Sequence, residues 1–244
     1  NYFVSQGWDT WIMELRGSGL SKDRSAGATS QWNFDDHMND VAKTLDTVVS
    51  IVGKPVHFVG HSLGGMLLVS TASMKLTKNI RSGVVLGGSI FMSDSAWKSY
   101  SCLLPVAQIF PVLHADWFQK TVAPCSFYLN SFWDKMFFCS ENVDPKFARR
   151  MFRKNWEPIS TSLLSQLKSS FDEGGLMSSD GKVKYADELH NIDFPLLAIG
   201  GSCDQQASPE SVRKMAALIP NSEFLQLGKS SGYECEYGHF DLVI

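Results

Sequence analysis

Residues 55–65, Pro-Val-His-Phe-Val-Gly-His-Ser-Leu-Gly-Gly, decide the fold of this chain. The apolar run at 56–59 predicts a buried strand, and a second apolar run at 66–69 predicts a helix. Between them lies the pattern G-x-S-x-G, which puts Ser62 at a sharp turn from strand to helix. Such a turn strains the backbone at the serine and lifts its hydroxyl above the end of the sheet.

The residues around Ser62 fit this interpretation. We expect Gly60 and Gly64 to be required because a Cβ atom at either position would collide with the neighbouring strand or helix. The turn also leaves the N–H of Leu63 at the start of a helix, aimed at the place where an oxyanion would form. Between a strand and a helix the motif indicates a catalytic serine, and the alternative is a tight glycine turn with an idle serine.

Strand and helix signals alternate on both sides of this turn. The strands are predicted at 8–15, 56–59, 83–90, 194–200 and 223–227. Apolar residues at steps of three and four predict a helix over 34–52 that ends at Gly53, and Ser208 and Pro209 begin another helix. This alternation predicts an α/β fold with a doubly wound, mostly parallel sheet.

Residues 92–190 interrupt that rhythm. They show no clean strand signal and suggest short helices near 145–155 and 159–171. About a hundred residues of this kind between two strands predict an inserted helical cap, so the core is assigned to 1–91 and 191–244. The aromatic residues of this segment would form either the interior of the cap or an apolar substrate pocket. They are Trp97, Tyr100, Phe110, Trp117, Phe118, Phe127, Tyr128, Phe132, Trp133, Phe137 and Phe138.

Three chemically matched side chains each follow a predicted strand. The carboxyl ends of parallel strands share one edge of a sheet, where Ser62, Asp204 and His239 would meet. A serine hydroxyl needs a base, which His239 would supply, and Asp204 would orient the imidazole and stabilise its charged form. The order Ser, Asp, His is the one expected with this turn. Asp94 is the alternative acid, and Glu210, inside a helix, is disfavoured.

Composition narrows the class of protein further. The 244 residues are 44% hydrophobic, which suits one globular domain with an inserted subdomain. A net charge of −3 gives no indication of nucleic acid or of an acidic membrane as a partner. No window of about 18 apolar residues predicts a transmembrane helix, which leaves peripheral membrane contact through the cap open. The oligomeric state is not indicated.

The cysteines and two polar clusters give no indication of a metal or another cofactor. The five cysteines have no metal spacing, and their odd number favours reduced thiols and an intracellular location, an organelle included. One bridge within 102–139 stays open. The acidic residues and His37 between 35 and 40 lie at the start of a helix, where carboxylates suit the helix dipole. The glycine-rich loop at 16–21 lacks G-K-[ST] and is expected to be a turn at the end of a strand.

Several stretches resemble the α/β-hydrolase superfamily, and within it the lipase-like serine hydrolases of plants and algae. They are GWDTWIMELRGSGLS, VHFVGHSLGGMLL, SSFDEGGLMSSDGKVKYADEL, FPLLAIGGSCDQQASPESV and YGHFDLV. The resemblance covers most of the chain outside 92–155 and puts Asp204 on the family's aspartate. It implies lipase- or carboxylesterase-like cleavage of an apolar ester or lipid through an acyl-Ser62 intermediate. The chain is also similar to polyhydroxyalkanoate synthases. Those enzymes carry cysteine at the position of Ser62, which argues against their chemistry here.

The resemblance also implies elements that precede or interrupt this sequence. The superfamily has a loop before Asn1 that supplies a second oxyanion N–H, and a strand between the one at 8–15 and the strand before Ser62. The sequence starts without Met and stops at Ile244, so we expect a fragment that is poorly stable and nearly inactive alone. Equal activity of this fragment and the full-length protein would contradict that expectation.

Three functions stay open at this point. The first is a serine hydrolase, and the second is an acyltransferase that passes the same acyl group to an alcohol or a thiol. These two differ in whether the cap excludes water from the acyl-serine. The third is a ligand-binding member of the fold without turnover, which an intact Ser-Asp-His set disfavours.

Overall fold

A four-stranded parallel sheet forms the centre of the molecule. The computed structural model describes residues 2–21, 31–113, 132–154 and 157–244. The strands are β1 (Val56–His61), β2 (Ile80–Leu86), β3 (Val112–Leu113), β4 (Ile159–Ser160), β5 (Leu196–Gly201) and β6 (Ser222–Leu227). The parallel sheet has the order β1-β2-β5-β6, and β3 pairs with β4 in a separate antiparallel ladder. The predicted α/β class with a mostly parallel sheet is confirmed.

Helices flank this sheet. They are α1 (Tyr2–Ser5), α2 (Phe34–Val52), α3 (Leu63–Ser73), α4 (Leu104–Ala107), α5 (Phe132–Phe137), α6 (Pro145–Lys154), α7 (Thr161–Leu167), α8 (Tyr185–Glu188) and α9 (Pro209–Ala216). Short 3₁₀ helices cover Gly19–Ser21, Ala96–Leu103, Lys168–Phe171, Leu189–Asn191 and Lys229–Ser231. Within the described residues, none of the helices combines the length and the apolar character needed to cross a bilayer.

The two helices on either side of β1 show how local sequence sets the fold. At the start of α2, Asn33 and Asp36 cap each other's backbone N–H groups, and the helix ends at Gly53 with φ 72°. Its apolar stripe is buried, whereas α3 is buried on every side from 65 to 73, its hydroxyl-bearing residues included. An amphipathic helix therefore covers the outside of the core, and a helix without an exposed face lies inside it.

The predicted strand at 8–15 is not formed. These residues have no strand beside them in the described part of the chain, where β1 is the edge of the sheet. A strand exists only through its ladder with a neighbour, so strand-like sequence without a partner stays irregular. The side chains of Ile12 and Val59 are 89% and 46% exposed, and the ring of Trp8 lies 5.4 Å from that of His57.

The inserted segment packs in two parts. Between 132 and 154, Phe137, Phe138 and Phe152 form a small cluster of their own with other apolar residues. From 159 onwards, side chains such as Leu163 and Leu176 join the main core. The cap boundaries at 92 and 190 stay a prediction. The predicted polar loop at 22–30 and the aromatic residues Trp117, Phe118, Phe127 and Tyr128 lie outside the described residues.

Candidate active site

Ser62 lies at the strained corner between β1 and α3. Its backbone has φ 53° and ψ −119°, a left-handed conformation that a residue with a side chain seldom adopts. The N–H of Ser62 donates to the carbonyl of Leu86 at 2.9 Å, and its own carbonyl accepts from Gly65 at 2.9 Å. Backbone hydrogen bonds on both sides therefore hold the serine in this conformation.

Of the two glycines predicted to be required around Ser62, the structure requires one. A Cβ at Gly60 would lie 2.4 Å from the carbonyl oxygen of Gly64, as expected. The expectation for Gly64 is wrong, because a Cβ there would meet nothing within 4 Å. The close approach falls instead on Gly65, whose Cβ would lie 2.7 Å from Val85, and on Gly88, whose Cβ would lie 2.7 Å from the carbonyl of Ser62.

Hydrogen bonds connect Ser62, His239 and Asp204. The distance from Ser62 Oγ to His239 Nε2 is 2.8 Å, and the distance from His239 Nδ1 to Asp204 Oδ2 is also 2.8 Å. A carboxylate only accepts, so Nδ1 carries the proton and donates to Asp204. The neutral imidazole then presents a lone pair on Nε2 to the serine hydroxyl. The structure thus brings together three residues that the sequence predicted at one edge of the sheet.

The surroundings of Asp204 and His239 hold them in this arrangement. Their side chains are 0% and 2% exposed, so the hydrogen bond between them is shielded from water. The second oxygen of Asp204 accepts from the N–H groups of Gln206 at 2.8 Å and Ala207 at 3.0 Å. Gly87 has φ 54°, and a Cβ there would lie 3.0 Å from Asp204 Oδ2. A glycine at 87 therefore leaves room for the carboxylate.

The alternative acids have other partners. Asp94 accepts a hydrogen bond from Ser208 next to α9, and Glu210 pairs with Arg213 on that helix. The carboxylate on His239 is that of Asp204. Leu63 is the first residue of α3, so its N–H has no acceptor within the helix and can donate elsewhere.

His61 is part of the site although the sequence assigned it no role. Its Nε2 lies 2.9 Å from the carbonyl oxygen of His239, and the two rings are 4.8 Å apart. Because a carbonyl only accepts, Nε2 of His61 carries the proton. Burial, with a smaller contribution from His239, lowers the pKa of His61 to about 4, so the ring is neutral at pH 7. The only sequence signal is its place beside Ser62.

The loop that carries His239 is tied to residues 137–142. The N–H of Phe240 donates to the carbonyl of Phe137 at 2.9 Å, and their rings stack at 5.7 Å. Asp241 is buried and accepts from the amide of Asn142 at 2.8 Å and from the N–H of Gly238 at 2.9 Å. These contacts join the inserted segment directly to the candidate base.

The other polar groups considered for binding form no metal site in the described residues, and two of them, Arg16 and Asp40, pair with each other. Within the described ranges, no three His, Cys, Asp or Glu side chains form a metal-binding group. Arg16 from the glycine-rich loop binds both oxygens of Asp40 at 2.6 Å. The described cysteines are free, and Cys125 lies outside the described residues. They are Cys102, Cys139, Cys203 and Cys235.

Comparison with known proteins identifies the family. A family model described as the alpha/beta hydrolase fold matches residues 1–231, so the chain belongs to this family. A curated relative, triacylglycerol lipase 2 of Arabidopsis thaliana, is 28% identical over 97 residues. That match covers 37% of this chain and only 23% of the relative, less than a quarter of its length.

Solved structures with the same fold come from several lineages. The monoacylglycerol lipase of Paleococcus ferrophilus is 16% identical with a TM-score of 0.52, covering 87% of this chain and 68% of that one. The esterase of Exiguobacterium antarcticum is 14% identical with a TM-score of 0.59, covering 94% and 74%. A lipase-esterase related protein of Clostridium acetobutylicum is 18% identical with a TM-score of 0.57, covering 95% and 76%. At these identities the likeness establishes the fold.

Proposed function

We propose that the protein is a serine hydrolase that cleaves carboxylic esters with an apolar acyl group. The observation that carries this proposal is the chain of two 2.8 Å hydrogen bonds from Ser62 through His239 to Asp204. The strained backbone at Ser62 supports it, because such strain persists where a hydroxyl has to be presented for reaction. Membership in the alpha/beta hydrolase fold family is consistent with this chemistry.

The first half of the reaction forms an acyl-enzyme. Ser62 Oγ attacks the carbonyl carbon of the ester while its proton moves to His239 Nε2. Asp204 stabilises the imidazolium, and the N–H of Leu63 donates to the oxyanion. The bond from the carbonyl carbon to the alkoxy oxygen then breaks, His239 protonates that oxygen, and the alcohol leaves.

Water completes the reaction. It gives a proton to His239 Nε2 and attacks the acyl carbon, and the bond from that carbon to Ser62 Oγ breaks. The proton on His239 returns to Ser62, which releases a carboxylic acid and restores the starting state. Substrate and water are consumed one to one, and no cofactor takes part in these steps.

An apolar acyl group suits the residues beside the candidate base. Phe240 lies against His239 with ring centres 5.4 Å apart, and Phe137 and Phe138 pack on Phe240. Phe240 is partly exposed, and a hydrocarbon chain placed against its ring would leave water more favourably than a polar one. The lipase name of the plant relative points in the same direction.

A covalent probe tests the enzyme class directly. We expect a fluorophosphonate to label the full-length protein, Ser62→Ala to abolish labelling, and the exposed-serine control Ser50→Ala to keep it. Asp204→Asn should lower kcat on p-nitrophenyl esters by about 10²–10⁴-fold. The matched control Asp94→Asn should stay near the parent. Undiminished labelling of Ser62→Ala would overturn the proposal, and labelling without turnover would leave a binding protein.

Product analysis separates hydrolysis from acyl transfer. We expect free acid to be the main product when an ester is incubated with a competing alcohol. A new ester as the main product would reassign the same acyl-serine to an acyltransferase. A series of acyl chain lengths from acetate to palmitate tests the preference for apolar acids, with kcat/KM expected to rise along the series.

A further inference from the structure

Helix α6 carries a charge that the rest of the chain does not share. Its sequence is Pro-Lys-Phe-Ala-Arg-Arg-Met-Phe-Arg-Lys, with five cations and no acidic residue in ten positions. The whole chain has a net charge of −3. The helix is therefore a local concentration of positive charge on a mildly acidic protein.

The charges of α6 are segregated onto one side. Ala148 and Phe152 are buried, and Phe152 packs edge-on against the rings of Phe137 and Phe138. The exposed cations follow the helical spacing i, i+4, i+7, i+8 and so share a face. We call this the cationic face, and it consists of Lys146, Arg150, Arg153 and Lys154. It is about 12 Å long, since eight residues separate its ends at about 1.5 Å each.

This arrangement does not stabilise the helix. Like charges three and four residues apart repel, and Arg150 has such neighbours at 146, 153 and 154. The helix dipole favours cations in the last turn, which accounts for Arg153 and Lys154. It disfavours Lys146 in the first turn. Helix stability therefore does not explain the cationic face.

Within the described part of the chain, no carboxylate forms a salt bridge with a side chain of the cationic face. The acidic residues just before α6 bind backbone N–H groups or a lysine outside this face. Asp144 accepts from the N–H groups of Lys146 and Phe147, and Glu141 lies 3.6 Å from Lys229 Nζ. The four charges are thus available to an external anion.

The position of α6 connects this face to the candidate catalytic centre. Phe152 on its buried side contacts Phe138, Phe138 contacts Phe240, and Phe240 contacts His239. The cationic face is thus the outer side of the element that packs behind the histidine loop. An anionic surface bound there would lie close to the site proposed to cleave apolar esters.

We propose that the cationic face of α6 docks the protein on membranes that contain anionic lipids. A lipid surface suits this face better than a nucleic acid because Phe147 lies beside it, 46% exposed, and can enter the apolar boundary beneath the headgroups. Juxtaposed basic residues are attracted to the negative potential of such a surface. The docking itself rests on α6 alone, and its link to substrate supply rests on the proposed hydrolase.

Vesicle sedimentation of the full-length protein tests the docking. The Ser62→Ala variant is used as the parent, so that binding is measured without turnover. We expect it to bind phosphatidylcholine vesicles that contain phosphatidylserine, to bind pure phosphatidylcholine weakly, and to lose binding as salt rises. Arg150→Glu with Lys154→Glu should lower the partition coefficient by more than about tenfold.

The control reverses the same number of charges elsewhere. Lys54 and Lys78 are exposed and precede β1 and β2, at the end of the sheet opposite Ser62, and their double change to Glu should bind like the parent. Circular dichroism of both double variants checks folding. The docking proposal would be overturned if both double variants lost vesicle binding equally, or if the parent bound neutral and anionic vesicles equally. Tighter binding of the parent to an RNA homopolymer than to the anionic vesicles would also overturn it. None of these results depends on whether the protein hydrolyses esters.

Discussion

At the scale of single residues, His61 positions the candidate base without touching the hydroxyl of Ser62. Its Nε2–H donates to the carbonyl of His239 at 2.9 Å, and its ring contacts those of His239 and Phe240, with ring centres 4.8 and 5.6 Å away. The hydrogen bond fixes the backbone of residue 239, from which the imidazole extends. Loss of this donor should therefore disturb the geometry of the base.

The first prediction separates the hydrogen bond of His61 from its bulk. His61→Gln keeps an N–H near the position of Nε2, whereas His61→Met fills the space without a donor. We expect Met to lower kcat by about 10–100-fold with little change in KM, and Gln to recover most of that loss. Steady-state kinetics measures the difference, and thermal unfolding checks stability. Equal kcat values for the two variants would exclude the positioning role.

Glycine positions give a second prediction at this scale. Gly60→Ala brings a Cβ to 2.4 Å from a backbone oxygen, so it should lower the free energy of unfolding by about 1–3 kcal/mol. Gly64→Ala meets open space and replaces a glycine in the first turn of α3, so stability should stay equal or rise by up to about 1 kcal/mol. Denaturant unfolding compares them. A larger loss for Gly64→Ala would contradict the close approach seen at Gly60.

Some site residues could be predicted from sequence and others could not. Ser62, Asp204 and His239 each carry a local signal, a turn motif or a polar residue after a strand. The role of His61 arises from a contact across 178 positions, which no local pattern encodes. Gly64 belongs to the motif, but whether a Cβ fits there depends on how α3 leaves β1, and that is a property of the packed structure.

At the scale of elements, the carboxylate of Asp35 in the first turn of α2 does more than interact with the helix dipole. It accepts hydrogen bonds from other parts of the chain. Burial would raise the pKa of Asp35, but hydrogen bonds from Tyr185, Ser179 and Gln166 outweigh it and hold that pKa below its ordinary value. The Gln166 amide donates to Asp35 at 2.5 Å, and the N–H of Ser179 donates at 2.9 Å. Asp35 therefore joins α2 to α7, to α8 and to the segment between them.

The third prediction compares the neighbouring carboxylates of Asp35 and Asp36, for which the sequence predicted the same role at the start of a helix. Asp35→Ala leaves several donors without an acceptor, so we expect the free energy of unfolding to fall by about 3 kcal/mol. Asp36→Ala removes one partner of the capping box and a long, exposed ion pair with Arg16, and it should cost about 1 kcal/mol. Denaturant unfolding of both variants measures these values. Equal losses would mean that helix capping alone accounts for Asp35.

Elements defined by local signals agree with their predictions. The helix predicted at 34–52 is observed as Phe34–Val52, and the one predicted near 145–155 as Pro145–Lys154. The strand predicted at 83–90 is observed as Ile80–Leu86, because Gly87 takes φ 54° and turns the chain away. The strand at 8–15 failed because strand formation depends on a neighbour, which the pattern of one segment does not reveal.

At the scale of the whole molecule, two imidazoles, that of the buried His37 and that of the partly buried His61, make stability depend on pH. Burial lowers the pKa of His37, which also lies near Asp40, Arg16 and Asp36, and burial lowers that of His61 to about 4. In the unfolded chain both groups titrate near 6.5. Below that pH the unfolded state takes up protons that the folded state does not, so the free energy of unfolding falls as the pH falls from 6.5 towards 4.

The fourth prediction concerns this loss of stability at lower pH. Because of the lowered pKa of His61, a fall from pH 7.5 to pH 5 should lower the free energy of unfolding by about 2 kcal/mol. The melting temperature should fall by about 5 °C. His37→Leu with His61→Gln should flatten this dependence, and exposed His190→Gln should keep it. The described carboxylates with a lowered pKa are Asp35, Asp40 and Asp180, and they lose their contribution only below about 3.8, outside this pH range. Melting curves at the two pH values decide the matter: an equally steep dependence in the double variant would place the titrating groups elsewhere.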